Sequence, residues 1–187
     1  DSEDSNRSHI DIRECIYSWY GEDWESSIGI GQVFWGVTES RNLVDVINQF
    51  DAVDDPTFRT KLGQPLINAT LIRDTGYYEF FILPYFRERT SPGRKGRLRQ
   101  DPEFSKGTTK FEGGSQWTPE LAIRWSNSIG NYDVSTHSFL GYARVPSIDV
   151  QIVGGQLKYE PNYQRVRQIG GTLQKASGAT LYKLEWL

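Results

Sequence analysis

One cysteine, Cys15, two histidines, His9 and His137, and no methionine are all that the 187 residues offer of soft and imidazole ligands. A lone cysteine closes no internal disulfide. So few ligands cannot assemble a zinc or other transition-metal centre, and no metal and no cofactor are expected. Cys15 lies in Ile12-Arg13-Glu14-Cys15-Ile16 and reads as a packed thiol, not a nucleophile. No apolar run approaches the ~20 residues of a transmembrane helix, so strands are the only route by which the chain could meet lipid. An excess of charge is missing too. The 21 basic and 24 acidic residues leave a net charge of -3, so nucleic acid is not expected as a partner and any charge-driven function is local. Neither an initiator methionine nor a basic, apolar leader opens the sequence, which reads as a mature or excised piece.

What the chain does have is a β pattern. Aromatic residues make up 13% of it, which favours strands, and helical periodicity is nearly absent. The length suits one domain, 1–187. A first hairpin pairs His9 to Tyr20 with Trp24 to Trp35 across Gly21-Glu22-Asp23, and a second pairs Leu66 to Arg73 with Tyr77 to Phe86 across Asp74-Thr75-Gly76. A third pairs Pro119 to Asn127 with Tyr132 to Arg144 across Ser128-Ile129-Gly130-Asn131, and a fourth pairs Tyr163 to Lys175 with Ala179 to Leu187 across Ala176-Ser177-Gly178. All four joints carry turn chemistry. Between the hairpins lie Gly36 to Pro65, Arg87 to Thr118 and Val145 to Asn162, which are long and polar.

Short and long connections therefore alternate strictly. In an up-and-down antiparallel sheet this gathers the tight turns on one rim and the long loops on the other, the asymmetry of outer-membrane barrels. Each segment also offers the ~9–11 residues that a tilted strand needs to cross a bilayer, beyond the ~5–6 of ordinary globular strands. The expected fold is all-β: an antiparallel up-and-down β-barrel, or part of one, of about eight strands in four hairpins.

Side chains alternate as a wall between lipid and water requires. Leu121, Ile123 and Trp125 share one face and Glu120, Arg124 and Ser126 the other. Tyr182, Leu184 and Trp186 oppose Lys183 and Glu185, and Ile67, Ala69 and Leu71 oppose Asn68 and Thr70. Some positions expected to face lipid are polar: Ser26, Ser27, Ser135 and Ser138. Aromatic residues gather near segment ends, and Trp19, Tyr20, Trp24, Trp35, Tyr77, Tyr78, Phe86 and Tyr132 are expected to form girdles at two interfaces. The same rings could instead fill the core of a soluble sandwich or barrel.

Three stretches carry a family likeness. They are Val33-Phe34-Trp35-Gly36-Val37-Thr38-Glu39-Ser40 with Leu43 to Gln49; Phe81 to Thr90 with Pro92-Gly93-Arg94 and Gly96 to Arg99; and Ala122 to Ser126 with Gly130 to Val134. From about Trp19 to Arg144 the chain resembles poorly characterised porin-like outer-membrane proteins of Gram-negative bacteria. That resemblance implies a barrel in the outer membrane and carries no agreed activity to transfer. The chain looks shorter than members of that family and ends Trp186-Leu187 where such barrels usually end on an aromatic residue, so it is expected to stop partway round its barrel.

Charge sits in the loops. Arg87, Arg89, Arg94, Lys95, Arg97 and Arg99 crowd the second long loop, whereas the first carries Glu39, Asp45, Asp51, Asp54 and Asp55. If one loop folds inward, opposed acidic and basic sets would order water and select solutes, with Arg124, Lys183 and Glu185 extending the lining. The plainer alternative is solvated loop surface, including loop charge bound to outer-leaflet phosphates. Leu43, Val44, Val46 and Ile47 approximate the stripe of a short loop helix.

No catalytic residue is expected. His137 shares a strand face with Asp133 and Ser135, yet no strained nucleophile turn accompanies them. Asp51 to Asp55 does not follow the EF-hand spacing. The leading expectation is a porin-like channel passing small solutes in the bacterial outer membrane, with lipid or lipopolysaccharide around it and protomers able to associate. The alternatives are a soluble lipocalin-like barrel binding a small hydrophobic ligand and, behind it, a barrel-embedded hydrolase.

Overall fold

Alternating polar and apolar residues between short turns dictate strands, and strands are what forms. A computed structural model describes residues 8–55, 57, 59–93, 95, 96, 103, 104 and 108–187, the side chains of Glu103 and Val153 excepted. Among them run β1 (Cys15–Tyr20), β2 (Trp24–Gly31), β3 (Gln64–Arg73), β4 (Gly76–Leu83), β5 (Glu103–Phe104) and β6 (Lys110–Phe111). Then follow β7 (Glu120–Ile129), β8 (Tyr132–Tyr142), β9 (Ser147–Val153), β10 (Gln156–Tyr163), β11 (Arg165–Ser177) and β12 (Thr180–Trp186).

Eight of these make one antiparallel sheet in the order β1-β2-β3-β4-β7-β8-β11-β12. Its hairpins are the four read from the sequence, with β1 starting at Cys15 rather than His9 and β2 ending at Gly31 rather than Trp35. Two-residue turns close three of them: Asp74-Thr75, Gly130-Asn131 and Gly178-Ala179. Gly130 and Gly178 hold φ of 64° and 59°, a left-handed conformation that a side chain would strain.

The expectation of a closed barrel is not met by these strands: the sheet is open, and among the described residues β1 and β12 each pair on one side only. The long connections supply a second, four-stranded sheet, in which β10 pairs with β9 antiparallel and with β5 and β6 in parallel. No helix forms at Leu43 to Ile47, where the chain bends without a regular ladder. Val44, Val46 and Ile47 find partners on the sheet, so they need no helical stripe to be buried, and Leu43 stays exposed.

Register fixes the two faces of the large sheet, because directly opposed residues point the same way. One face is bare. Across five strands it carries the row Ile28, Ile67, Ile82, Leu121 and Leu140. The next rows read Ser26, Ala69, Phe80, Ile123, Ser138 and Ile169, then Trp24, Leu71, Tyr78, Trp125, Thr136, Gly171 and Trp186. Leu121, Ile123 and Leu184 are 49%, 43% and 55% exposed. Ser27 and Ser135 turn away from this face, while Ser26 and Ser138 lie on it.

The other face is covered. Leu66, Phe81, Leu83, Ala122 and Phe139 pack there against Trp35, Val44, Val46 and Ile47 of the loop between β2 and β3. Toward the tight turns the same face turns polar, in the row Glu25, Thr70, Glu79, Arg124 and His137. A smaller aromatic cluster of Phe86, Tyr142 and Tyr163, with Phe111 against it, sits where the long connections meet the sheet.

These packings correct two members of the expected girdle. Trp35 and Phe86 are 2% and 0% exposed, because each plugs a cluster instead of standing at an interface. Tyr20 and Tyr77 are exposed but belong to the covered face's register. Trp19, Trp24, Tyr78 and Tyr132 do point to the bare face, in rows toward the tight turns.

Candidate functional site

The loop of residues 32–49 lies as a strap across the covered face. Asn48 ties its two ends together: it accepts from the Val33 N–H at 2.7 Å and donates to the Gly31 and Leu62 carbonyls, both at 2.9 Å. Asn48 is fully buried, so this amide replaces a ladder that the strap lacks. The far side is fixed by β12. Glu185 accepts the Val37 and Thr38 N–H groups at 2.6 and 2.9 Å through one oxygen, and the Leu43 N–H at 2.6 Å through the other. Charge-assisted bonds of this kind are stronger than neutral ones. Lys183 pairs with Glu39 beside it.

Lys61 pairs with Asp45 at the strap's edge. Burial raises the Asp45 carboxyl and lowers the Lys61 ammonium, although each charge supports the other. Asp51 collects a different set: Thr90 Oγ1 at 2.7 Å, the Val53 and Asp54 N–H groups at 3.1 Å and Arg13 at 2.8 Å. Burial alone would raise this carboxyl, but those bonds together outweigh it and its pKa is lowered.

The second long loop locks onto the first. Arg87 donates to the Gly63 carbonyl and pairs with Asp11, both at 2.9 Å. Arg89 reaches Gln49 at 3.4 Å and the Arg144 carbonyl at 3.1 Å, and its N–H donates to the Tyr163 hydroxyl at 3.0 Å. Burial pushes that phenol up to about 12, so it stays protonated. Arg144 donates to the Ile47 carbonyl at 2.9 Å and makes two 2.9 Å bonds to Glu120, which also accepts the Tyr142 N–H. The Arg144 guanidinium lies over Phe86 and Phe139, 5.0 and 5.1 Å from their centroids.

The structure thus brings most of the expected charged residues to one side of the sheet, yet arranges them differently from two opposed sets. Glu39, Asp45, Lys183 and Glu185 fasten the strap, and Arg87 and Arg89 fasten the loops to each other. Arg124 pairs with Glu79 at 2.9 Å on the polar part of the wall. Arg94 and Arg97 lie outside the described residues. Asn48, Glu120 and Arg144 went unsingled by the sequence as a site. Their signal is a polar residue placed in an apolar stretch, as in Gly141-Tyr142-Ala143-Arg144-Val145.

Ser135 shares a 2.7 Å hydroxyl bond with Thr172, and His137 makes no hydrogen bond to it. His9, Asp51 and Asp54 place ligand atoms within 4.8 Å of one another, but Arg13 already bridges the two carboxylates at 2.8 and 2.9 Å. What the geometry presents is a polar region on one face, a strap beside it and a bare apolar back. No family model, curated protein or solved structure matches the chain.

Proposed function

We propose that the chain forms part of the wall of a porin-like channel in the bacterial outer membrane, with the bare face toward lipid and the covered face toward a water-filled lumen. The observation that carries this reading is the bare face itself. A row of Ile28, Ile67, Ile82, Leu121 and Leu140 stands exposed across five strands before Arg167 ends it on β11, where a soluble sheet would present polar side chains or be covered. Tryptophan and tyrosine concentrate toward the tight-turn end, as at a membrane interface.

Hydrocarbon tolerates no unpaired strand edge, so the open edges of β1 and β12 are closed by further strands into a ring. The strap of residues 32–49 narrows the lumen and small solutes pass beside it. A lipocalin-type barrel requires the reverse polarity, apolar within and wet outside. The Glu79–Arg124 pair on the covered face speaks for the channel.

The test is reconstitution of the full chain in detergent and planar bilayers. Partition into the detergent phase and stepwise conductance are expected. A monomer that stays in the aqueous phase without detergent and shows no conductance overturns the reading.

A further inference from the structure

One group of polar atoms beneath the strap is left over by everything described so far. Trp35 and His137 are both almost fully buried, with ring centroids 4.9 Å apart. The Trp35 indole nitrogen and both His137 nitrogens have no hydrogen-bond partner. Arg124 stands opposite His137 across β7 and β8, and its buried Nε is likewise without a partner, although its Nη1 is given to Glu79. On the other flank β11 presents Gly170, where a Cβ would come within 2.8 Å of His137 Cε1, so no side chain there supplies an acceptor.

Folded chains leave very few buried polar groups unpaired, and each one calls for an account. Three of these four leftover atoms share a character. The indole N–H and the Arg124 Nε–H can only donate, and a neutral imidazole adds one more N–H, while its second nitrogen accepts. What satisfies the three N–H groups together is an acceptor, and a carboxylate supplies two oxygens with charge-assisted strength.

We propose that Trp35, Arg124 and His137 form a binding site for the carboxylate of a permeating solute. The proposal rests on the channel reading and names the solute class for it. Access follows from the strap's construction. Trp35 lies between Val33, tied to Asn48, and Val37, tied to Glu185, on a segment with no strand pairing. Entry of the solute requires the indole to shift from Phe81, and Val33 and Val37 hold its segment by hydrogen bonds on either side.

The experiment is calorimetric titration of the full chain, folded in detergent, with sodium acetate against a sodium chloride control. Saturable acetate binding is expected, weakened about tenfold by Trp35→Phe, which keeps the ring and removes one donor. His137→Phe, a second variant with its own folding check, is expected to weaken binding as well. Trp125→Phe serves as the control: Trp125 lies on the bare face, donates to the Thr75 carbonyl at 2.9 Å and should leave affinity unchanged. Absence of saturable acetate binding, or equal affinity in Trp35→Phe, overturns the site. Inorganic phosphate binding as well as acetate overturns the carboxylate class. No conductance enters this measurement, so a failure of the channel reading shows separately.

Discussion

On the bare face of the large sheet, Ile67, Ile82, Leu121 and Leu140 make one row of open aliphatic side chains, whereas the covered face three residues along reads Thr70, Glu79, Arg124 and His137. The same strands supply both rows. A sheet in water hides its apolar face and wets its polar one. This one hides apolar residues on the covered face only where the strap of residues 32–49 lies, and leaves the apolar residues of the other face open. Burial within the chain therefore accounts for one face, and the proposed channel assigns the other to lipid.

The largest effect that can break this contrast is at the strap's lock. Arg144→Met strips the buried Glu120 of its guanidinium and the Ile47 carbonyl of its donor, an expected loss of about 3–5 kcal/mol in urea unfolding. Next come two neighbouring phenylalanines. Phe81→Ala empties the packing against Trp35 and should cost about 3–5 kcal/mol. Phe80→Ala, on the bare face, should cost under about 2 kcal/mol in a bilayer, because lipid fills the space left. Equal losses would erase the distinction between the faces.

Acid probes the loops rather than the wall. Asp51 has a lowered pKa, so its contribution is fully present above the unfolded carboxylate value of about 3.9 and is lost as pH falls through the lowered folded value. Stability measured between neutral and strongly acid pH should fall less steeply in Asp51→Asn. The smallest effect sharpens the picture of the polar wall. Ser135→Ala leaves the Thr172 hydroxyl without its partner and should cost about 1 kcal/mol in the same unfolding assay. A loss as large as that of Phe81→Ala would show this part of the wall to be as tightly packed as the strap contact.

The hairpins were legible because their information is local. Gly130-Asn131 and Gly178-Ala179 announce turns, and the alternation of Leu121, Ile123 and Trp125 with Arg124 assigns both faces of β7 correctly. The long connections were not, because what orders them is distant. Trp35 and Phe86 sit near segment ends like any interfacial ring, and only Phe81, His137, Tyr142 and Tyr163, far along the chain, decide that they are buried. Of the stripe Leu43, Val44, Val46 and Ile47, the sheet buries the last three without a helix, while Leu43 stays exposed. Of the site, the charged residues were visible but their partners were not, since Glu185 and Val37 stand 148 positions apart.

That separation sets an order of assembly. The strap's three N–H bonds to Glu185 span 142 to 148 positions, so they form only after β12 has joined the sheet. Non-local contacts of this reach come late, because closing so long a stretch of chain costs entropy before any bond repays it. The sheet is thus raised first and the strap seated afterwards. Until then Leu66, Phe81, Ala122 and Phe139 lack the side chains that cover them.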